Sequence, residues 1–242
     1  MRQVLLVCDS FLSKMSQQGN LWYNKAMRNK EEMLKEAKQL VRQRLEGEAS
    51  GHDWWHIVRV RNMACKIALE EKADAFICQL TALLHDMADE KLNDKPDEEL
   101  ERIHFWLLEQ NLSPTDADHV IRNIRTLSFK GNGKLVPDSL EGQIVQDADR
   151  LDAIGAIGIA RCMAYSGSKG RPIHDPVMKP REQLTPEVYR NGQDTAIMHF
   201  YEKLLKLKDL MNTDFGRKMA EQRHQYLENF LEEFYAEWDG QR

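Results

Sequence analysis

At 242 residues, with 42% apolar and 30% charged side chains, the chain is long enough to bury a full core and has the ordinary make-up of a globular protein. A net charge of -5 argues against a nucleic-acid surface, because phosphate contacts demand a basic patch. No apolar run approaches the roughly 18 residues of a membrane span, so a cytoplasmic protein with no membrane partner is expected.

The opening stretch, "MRQVLLVCDSF", lacks the length and small-residue cleavage site of a secretory signal. Residues 1–24 are read as a loosely attached arm and residues 25–242 as one domain. Helical signals dominate that domain. "NKEEMLKEAKQLVRQRLEGEASG" places Met33, Ala37, Leu40, Val41 and Leu45 at three- and four-residue spacing. "HDWWHIVRVRNMACKIALEEK" repeats the pattern with Ile57, Val60, Ala64, Ile67 and Ala68, and Asp53 suits an N-cap. "ADAFICQLTALLHDMAD" is apolar enough to lie at the centre of the core. "KPDEELERIHFWLLEQN" opens on Pro96 and acidic residues, as helix N-termini favour, and Ser113 before Pro114 marks the next start.

Beyond the turn-rich "KGNGKLVPDS", the stretch "LEGQIVQDADRLDAIGAIGIARCMAYSG" reads as one long helix or two in succession. Residues 166–186 are proline-rich and predict an irregular surface loop long enough to act as a lid. Helices over about 187–209 and 213–238 close the chain. No alternating strand or internal repeat is visible, so the fold class is all-α. Cys8, Cys65, Cys78 and Cys162 show no C-x-x-C spacing and read as reduced thiols rather than a zinc site.

"TALLHDMADEK" is the stretch that asks for chemistry. An apolar run ends in His85 and Asp86, followed by Asp89 and Glu90, and buried imidazole and carboxylate groups need a partner. Nitrogen and oxygen donors together suit a borderline or hard divalent ion. His56 lies beside the core stripe of its helix, and Asp149 sits between core positions Val145 and Ala153.

The order of His56 in "HIVRV", His85 and Asp86 in "LLHDMAD", and Asp149 in "DADRLDA" resembles the HD-domain metal-dependent phosphohydrolases. "QDADRLDAIGAIGIAR" and "TAIMHFYEKLLKLKDLMNT" extend the likeness to the single-domain bacterial subgroup that includes a manganese-dependent nucleotide pyrophosphohydrolase, over about residues 26–238. The resemblance implies a single HD-domain helical bundle holding one divalent ion on His56, His85, Asp86 and Asp149. Manganese is the favoured ion, with Mg²⁺, Co²⁺ and Ni²⁺ as alternatives, and Asp147 is the alternative last ligand. Related guanosine-tetraphosphate hydrolases carry an acidic pair where this chain has Asp89 and Glu90. The pair is reversed here, which leaves the base open between the two.

The function implied is hydrolysis of a small nucleotide, with a nucleoside triphosphate giving the monophosphate and pyrophosphate. The alternatives are a nucleotide phosphomonoesterase and a non-catalytic nucleotide- and metal-binding sensor. Lys130, Lys134, Arg150 and the lysine and arginine of "SKGRP" are the cations available to a leaving group. His199 is a substrate contact or a buried structural histidine. Asp152 is expected to pair with Arg150 or Arg161. The oligomeric state is open, with a homodimer among the options.

Overall fold

The computed structural model of the chain describes residues 29–47, 53–89, 93–127, 136–181 and 194–242. Every regular element among them is helical, as the periodicity predicts, and no strand occurs among the described residues. The expected arm, Cys8, Glu90, Lys130 and Lys134 lie outside them. The chain divides into two compact units, Met1–Leu40 and Val41–Arg242. In the first, residues 29–40 begin helix α1, which runs over 29–45, and Met33 and Ala37 are buried. The elements described next belong to the second unit.

Helix α2 (Trp54–Glu71) starts where expected, because the Asp53 carboxylate accepts the His56 N–H at 2.7 Å and satisfies a donor that the first helical turn leaves open. His56, Ile57, Val60, Ala64, Ile67 and Ala68 are its buried residues, a single stripe at helical spacing. Helix α3 (Ala75–Leu84) is capped by Asp74, which accepts from Phe76 N and Ile77 N. It is apolar on nearly all sides and packs among α2, α5 (Pro114–Leu127) and α6 (Leu140–Asp152). Each large side chain buried there contributes about 1.5–3 kcal/mol.

Helix α3 does not continue through His85, Asp86 and Asp89. After Leu84 the backbone tightens into a 3-10 turn, His85–Ala88, and leaves it in extended geometry at Asp89, with the Asp89 N–H closing on Asp86 O at 3.1 Å. The His85 ring helps to end the helix: its Nδ1 donates to the Ala82 carbonyl at 2.9 Å, a group that would serve the next turn in a continuing α-helix.

Helix α4 (Pro96–Glu109) begins on proline followed by Asp97, Glu98 and Glu99, and the Ser113 hydroxyl caps α5 by accepting from Asp116 N at 3.1 Å. Of the two readings for the next stretch, the structure has two helices, α6 and α7 (Gly155–Ser168). The break needs glycine, since Gly155 has φ +74 and a Cβ there would lie 3.1 Å from the Arg223 side chain. The expected loop therefore starts at Lys169, after α7, and its described part ends at Arg181.

The expected helix over 187–209 is shorter and broken. Helix α8 covers Ala196–Glu202, Lys203 leaves helical geometry with φ -135 and ψ -58, and a 3-10 run covers Leu204–Leu210. Residues 187–193 lie outside the described set. Helix α9 (Asp214–Trp238) matches its expectation closely. Val60, Ala64, Val145, Ala148, Leu151, Ile197, Phe200 and Leu227 meet in one core cluster, with α2 against α6 and α7 against α9.

Candidate metal centre

Three elements converge on one point of this core. His56 projects from the first turn of α2 and is completely buried, His85 and Asp86 come from the 3-10 turn, and Asp149 comes from the last turns of α6. Donor atoms of His56, His85 and Asp86 all lie within 4.8 Å of one another. One oxygen of Asp86 is 3.4 Å from His56 Nε2 and the other is 3.2 Å from His85 Nε2. Asp149 Oδ1 approaches His56 Nε2 at 3.4 Å. Its side chain is 39% exposed, so the centre has one side toward solvent while the other three residues close it off.

The outer nitrogens explain the orientation of both rings. His85 Nδ1 faces the Ala82 carbonyl, which can only accept, so that nitrogen carries the proton and Nε2 presents a lone pair. His56 Nδ1 meets Asp152 Oδ2 at 2.7 Å, which acts on the second ring in the same way. Two inward Nε2 atoms with two carboxylates make a mixed nitrogen and oxygen donor set that fits a divalent cation.

Electrostatics point the same way. Burial opposes charge on His56, yet the carboxylates of Asp149, Asp152 and Asp86 outweigh it and push its pKa up to about 9. Burial likewise works against the Asp149 carboxylate, and the imidazoles of His56 and His85 with the Arg161 guanidinium hold it well below the usual range. The centre is a place built to stabilise positive charge.

Helix geometry separates the two carboxylates that the sequence leaves as alternatives. Asp149 and Asp152 are three residues apart on one face of α6 and bracket the His56 ring, one near each nitrogen. Asp147 faces elsewhere. Its side chain accepts from Asn212 N at 2.9 Å, Asn212 Nδ2 at 2.9 Å, Thr213 N at 2.8 Å and Thr213 Oγ1 at 2.8 Å. The Thr213 hydroxyl oxygen in turn caps α9 by accepting from Gly216 N, and a Cβ at Gly216 would fall 2.4 Å from Asp147 Oδ2.

Other expected site residues are placed less uniformly. Asp89 follows the 3-10 turn, partly buried, and adds to the field at Lys203. Arg150 donates to the Leu210 carbonyl and lies 3.9 Å from Asp147, on the side of α6 that braces the α8–α9 connection. His199 lies partly buried on α8. Glu90, Lys130 and Lys134 lie outside the described residues.

Two features escape the sequence reading. Asp152 does pair with Arg161, at 2.8 Å, but also takes a two-pronged contact from Arg59, at 2.7 and 3.0 Å, and not one from Arg150. Lys203 is the second. Burial pushes its ammonium below the ordinary lysine range, while Asp149 and Asp89 pull it back, which sets Lys203 in the field of the site. Nothing in "YEKLLKLK" distinguishes this lysine from its neighbours.

The HD domain family model matches residues 54–154, which carry all four converging side chains. Over 212 residues the chain is 40% identical to YpgQ of Bacillus subtilis, an alignment covering 86% of this chain and 96% of YpgQ. This chain belongs to the HD-domain family. Among solved structures it is similar to a Lactobacillus plantarum protein, with 41% identity, a TM-score of 0.74 and coverage of 87% of this chain and 98% of the other. A Bacillus thuringiensis HD-superfamily hydrolase follows with 43% identity and a TM-score of 0.71, covering 87% and 98%. Bacillus subtilis YpgQ in complex with ADP superposes with 34% identity and a TM-score of 0.70, covering 86% and 96%. The chain is thus an HD-superfamily hydrolase with a His/Asp cluster suited to a metal ion. No described helix is long and apolar enough to cross a membrane.

Proposed function

We propose that the chain hydrolyses a nucleoside triphosphate to the monophosphate and pyrophosphate, with one divalent ion, manganese by preference, held by His56, His85, Asp86 and Asp149. The observation that carries the reading is the pair of buried imidazoles whose Nε2 atoms both turn toward the Asp86 carboxylate, with Asp149 on the open side. The YpgQ structure with ADP supports a nucleotide ligand. When bound, the ion supplies Lewis acidity: it polarises a phosphoryl oxygen and lowers the pKa of water.

The remaining work falls to side chains. Asp152 and the Ala82 carbonyl hold the two rings in orientation. Asp89, on the extended residue that leaves the 3-10 turn, is the base that accepts the proton of the attacking water, and Glu90 is the reserve. Lys203, together with Lys130 and Lys134, supplies positive charge to the leaving group, and His199 contacts the substrate.

Two outcomes test this. In heavy-oxygen water with Mn²⁺, the label is expected on the nucleoside monophosphate, with pyrophosphate released unlabelled. Labelled orthophosphate with a nucleoside diphosphate would move the attack to the γ-phosphate, and nucleoside with orthophosphate from a monophosphate would favour a phosphomonoesterase. Separately, Asp89→Asn is expected to lower kcat about 10²–10⁴-fold while bound metal persists, because an amide cannot take the proton. Normal kcat in Asp89→Asn with loss in Glu90→Gln transfers the role by one residue.

A further inference from the structure

A cluster of cations lies behind His56, on the Nδ1 side of the ring. Arg59, Asn62 and Lys66 of α2, Asp152 of α6 and Arg223 of α9 are the polar lining of a cavity of about 310 Å³, which three apolar side chains complete and which includes none of the four proposed metal ligands. Asp152 is the one carboxylate in its lining, and its two oxygens are already engaged by His56 Nδ1, Arg59 Nε, Arg59 Nη2 and Arg161 Nη1. Three of these contacts fall on Oδ2 and one on Oδ1. The lining thus holds three cations, Arg59, Lys66 and Arg223, and one carboxylate that already serves His56, Arg59 and Arg161, in a protein whose overall charge is -5.

Their spare donors are identifiable. Arg59 uses Nε and Nη2 on Asp152, which leaves Nη1. Arg223 gives Nη1 to the Leu151 carbonyl, which leaves Nε and Nη2, and burial pushes its guanidinium below the usual range. The exposed Lys66 ammonium rests 5.6 Å from the centre of the Phe215 ring. Asn62 Oδ1 accepts from Arg61, so its amide N–H groups remain to donate. Guanidinium groups suit tetrahedral oxyanions, because a planar fork can meet two oxygens at once. The cavity is at the small end of ligand sites, which fits an inorganic anion better than a whole nucleotide.

We propose that this cavity is a binding site for a small phosphate-class anion, orthophosphate or pyrophosphate, separate from the metal centre. Binding there requires neither the ion nor turnover. The test is calorimetric titration of chelator-treated full-length protein with sodium orthophosphate and with sodium pyrophosphate, at constant ionic strength. Saturable binding of one equivalent is expected, weakened at least about tenfold by Lys66→Glu and by Asn62→Asp, since each places a negative charge at the mouth. Asp149→Ala is expected to leave the affinity within about twofold, because Asp149 does not line the cavity. Whichever of the two salts binds more tightly identifies the anion the site is built for. Absence of saturable binding, an affinity unmoved by both charge-introducing variants, or loss of binding in Asp149→Ala would each overturn the proposal. A failed nucleotide assay would leave these titrations as they stand, so the two readings fail separately.

Discussion

Asp86→Ala is expected to weaken divalent-metal affinity by about 100-fold or more and to remove turnover, with helical content unchanged. The Asp86 carboxylate sends one oxygen to each imidazole, so its loss removes the carboxylate that bridges His56 and His85. Outer partners of metal ligands typically account for 10–100-fold in affinity, and a ligand itself accounts for more. Asp152→Ala, which removes such a partner from His56 Nδ1, should fall in that smaller range. His56→Ala, His85→Ala and Asp149→Ala belong with Asp86→Ala. Metal analysis of each purified variant decides the set. Thermal unfolding adds a readout independent of activity, because an ion that binds only the folded state raises Tm with its concentration, and a variant without the site loses that rise. Any variant that keeps full metal occupancy and full turnover removes its residue from the set.

How much of this was legible in the sequence depends on whether a feature is local. The start of α2 at Asp53 and the Ser113 cap are each decided by a side chain that accepts a backbone N–H three residues on, and the start of α4 by a proline whose missing N–H costs nothing in the first turn, so the letters alone announce them. The stripes of α2 and α9 follow from the helical period. The ordered set of His56, His85, Asp86 and Asp149 stood out through a family pattern, and the structure brings these four residues together.

The 3-10 turn at His85 was not legible. It depends on a ring competing for the Ala82 carbonyl inside a packed core, and composition does not distinguish it from a continuing helix. Arg59 and Asp152 are 93 positions apart, and their pairing is a consequence of how α2 lies on α6. The same holds for Arg150, which the sequence offers as a free cation and the fold engages with the Leu210 carbonyl. Burial, rather than any motif, singles out Lys203.

Asp147→Ala is expected to cost about 3 kcal/mol of stability while leaving metal affinity close to wild type. Asp147 is fully buried and joins α6 to the start of α9 through Asn212 and Thr213. Removing it orphans the backbone N–H of Thr213, strips a partner from Asn212 N–H and releases the Thr213 hydroxyl that caps α9. An orphaned buried donor costs about 1–3 kcal/mol, and a lost cap about 1 kcal/mol. Relaxation of the half-exposed Asn212 end toward water keeps the sum near the lower combination. For a chain of this size 1 kcal/mol moves Tm by about 2–4 °C, so a fall of about 10 °C is expected in metal-free protein. Measuring Tm without metal and metal affinity at 25 °C on the same variant separates the two roles that the motif leaves open. A variant that loses stability and keeps metal marks Asp147 as the brace between α6 and α9. One that keeps its Tm and loses metal would make Asp147 the ligand and return Asp149 to the surface of α6.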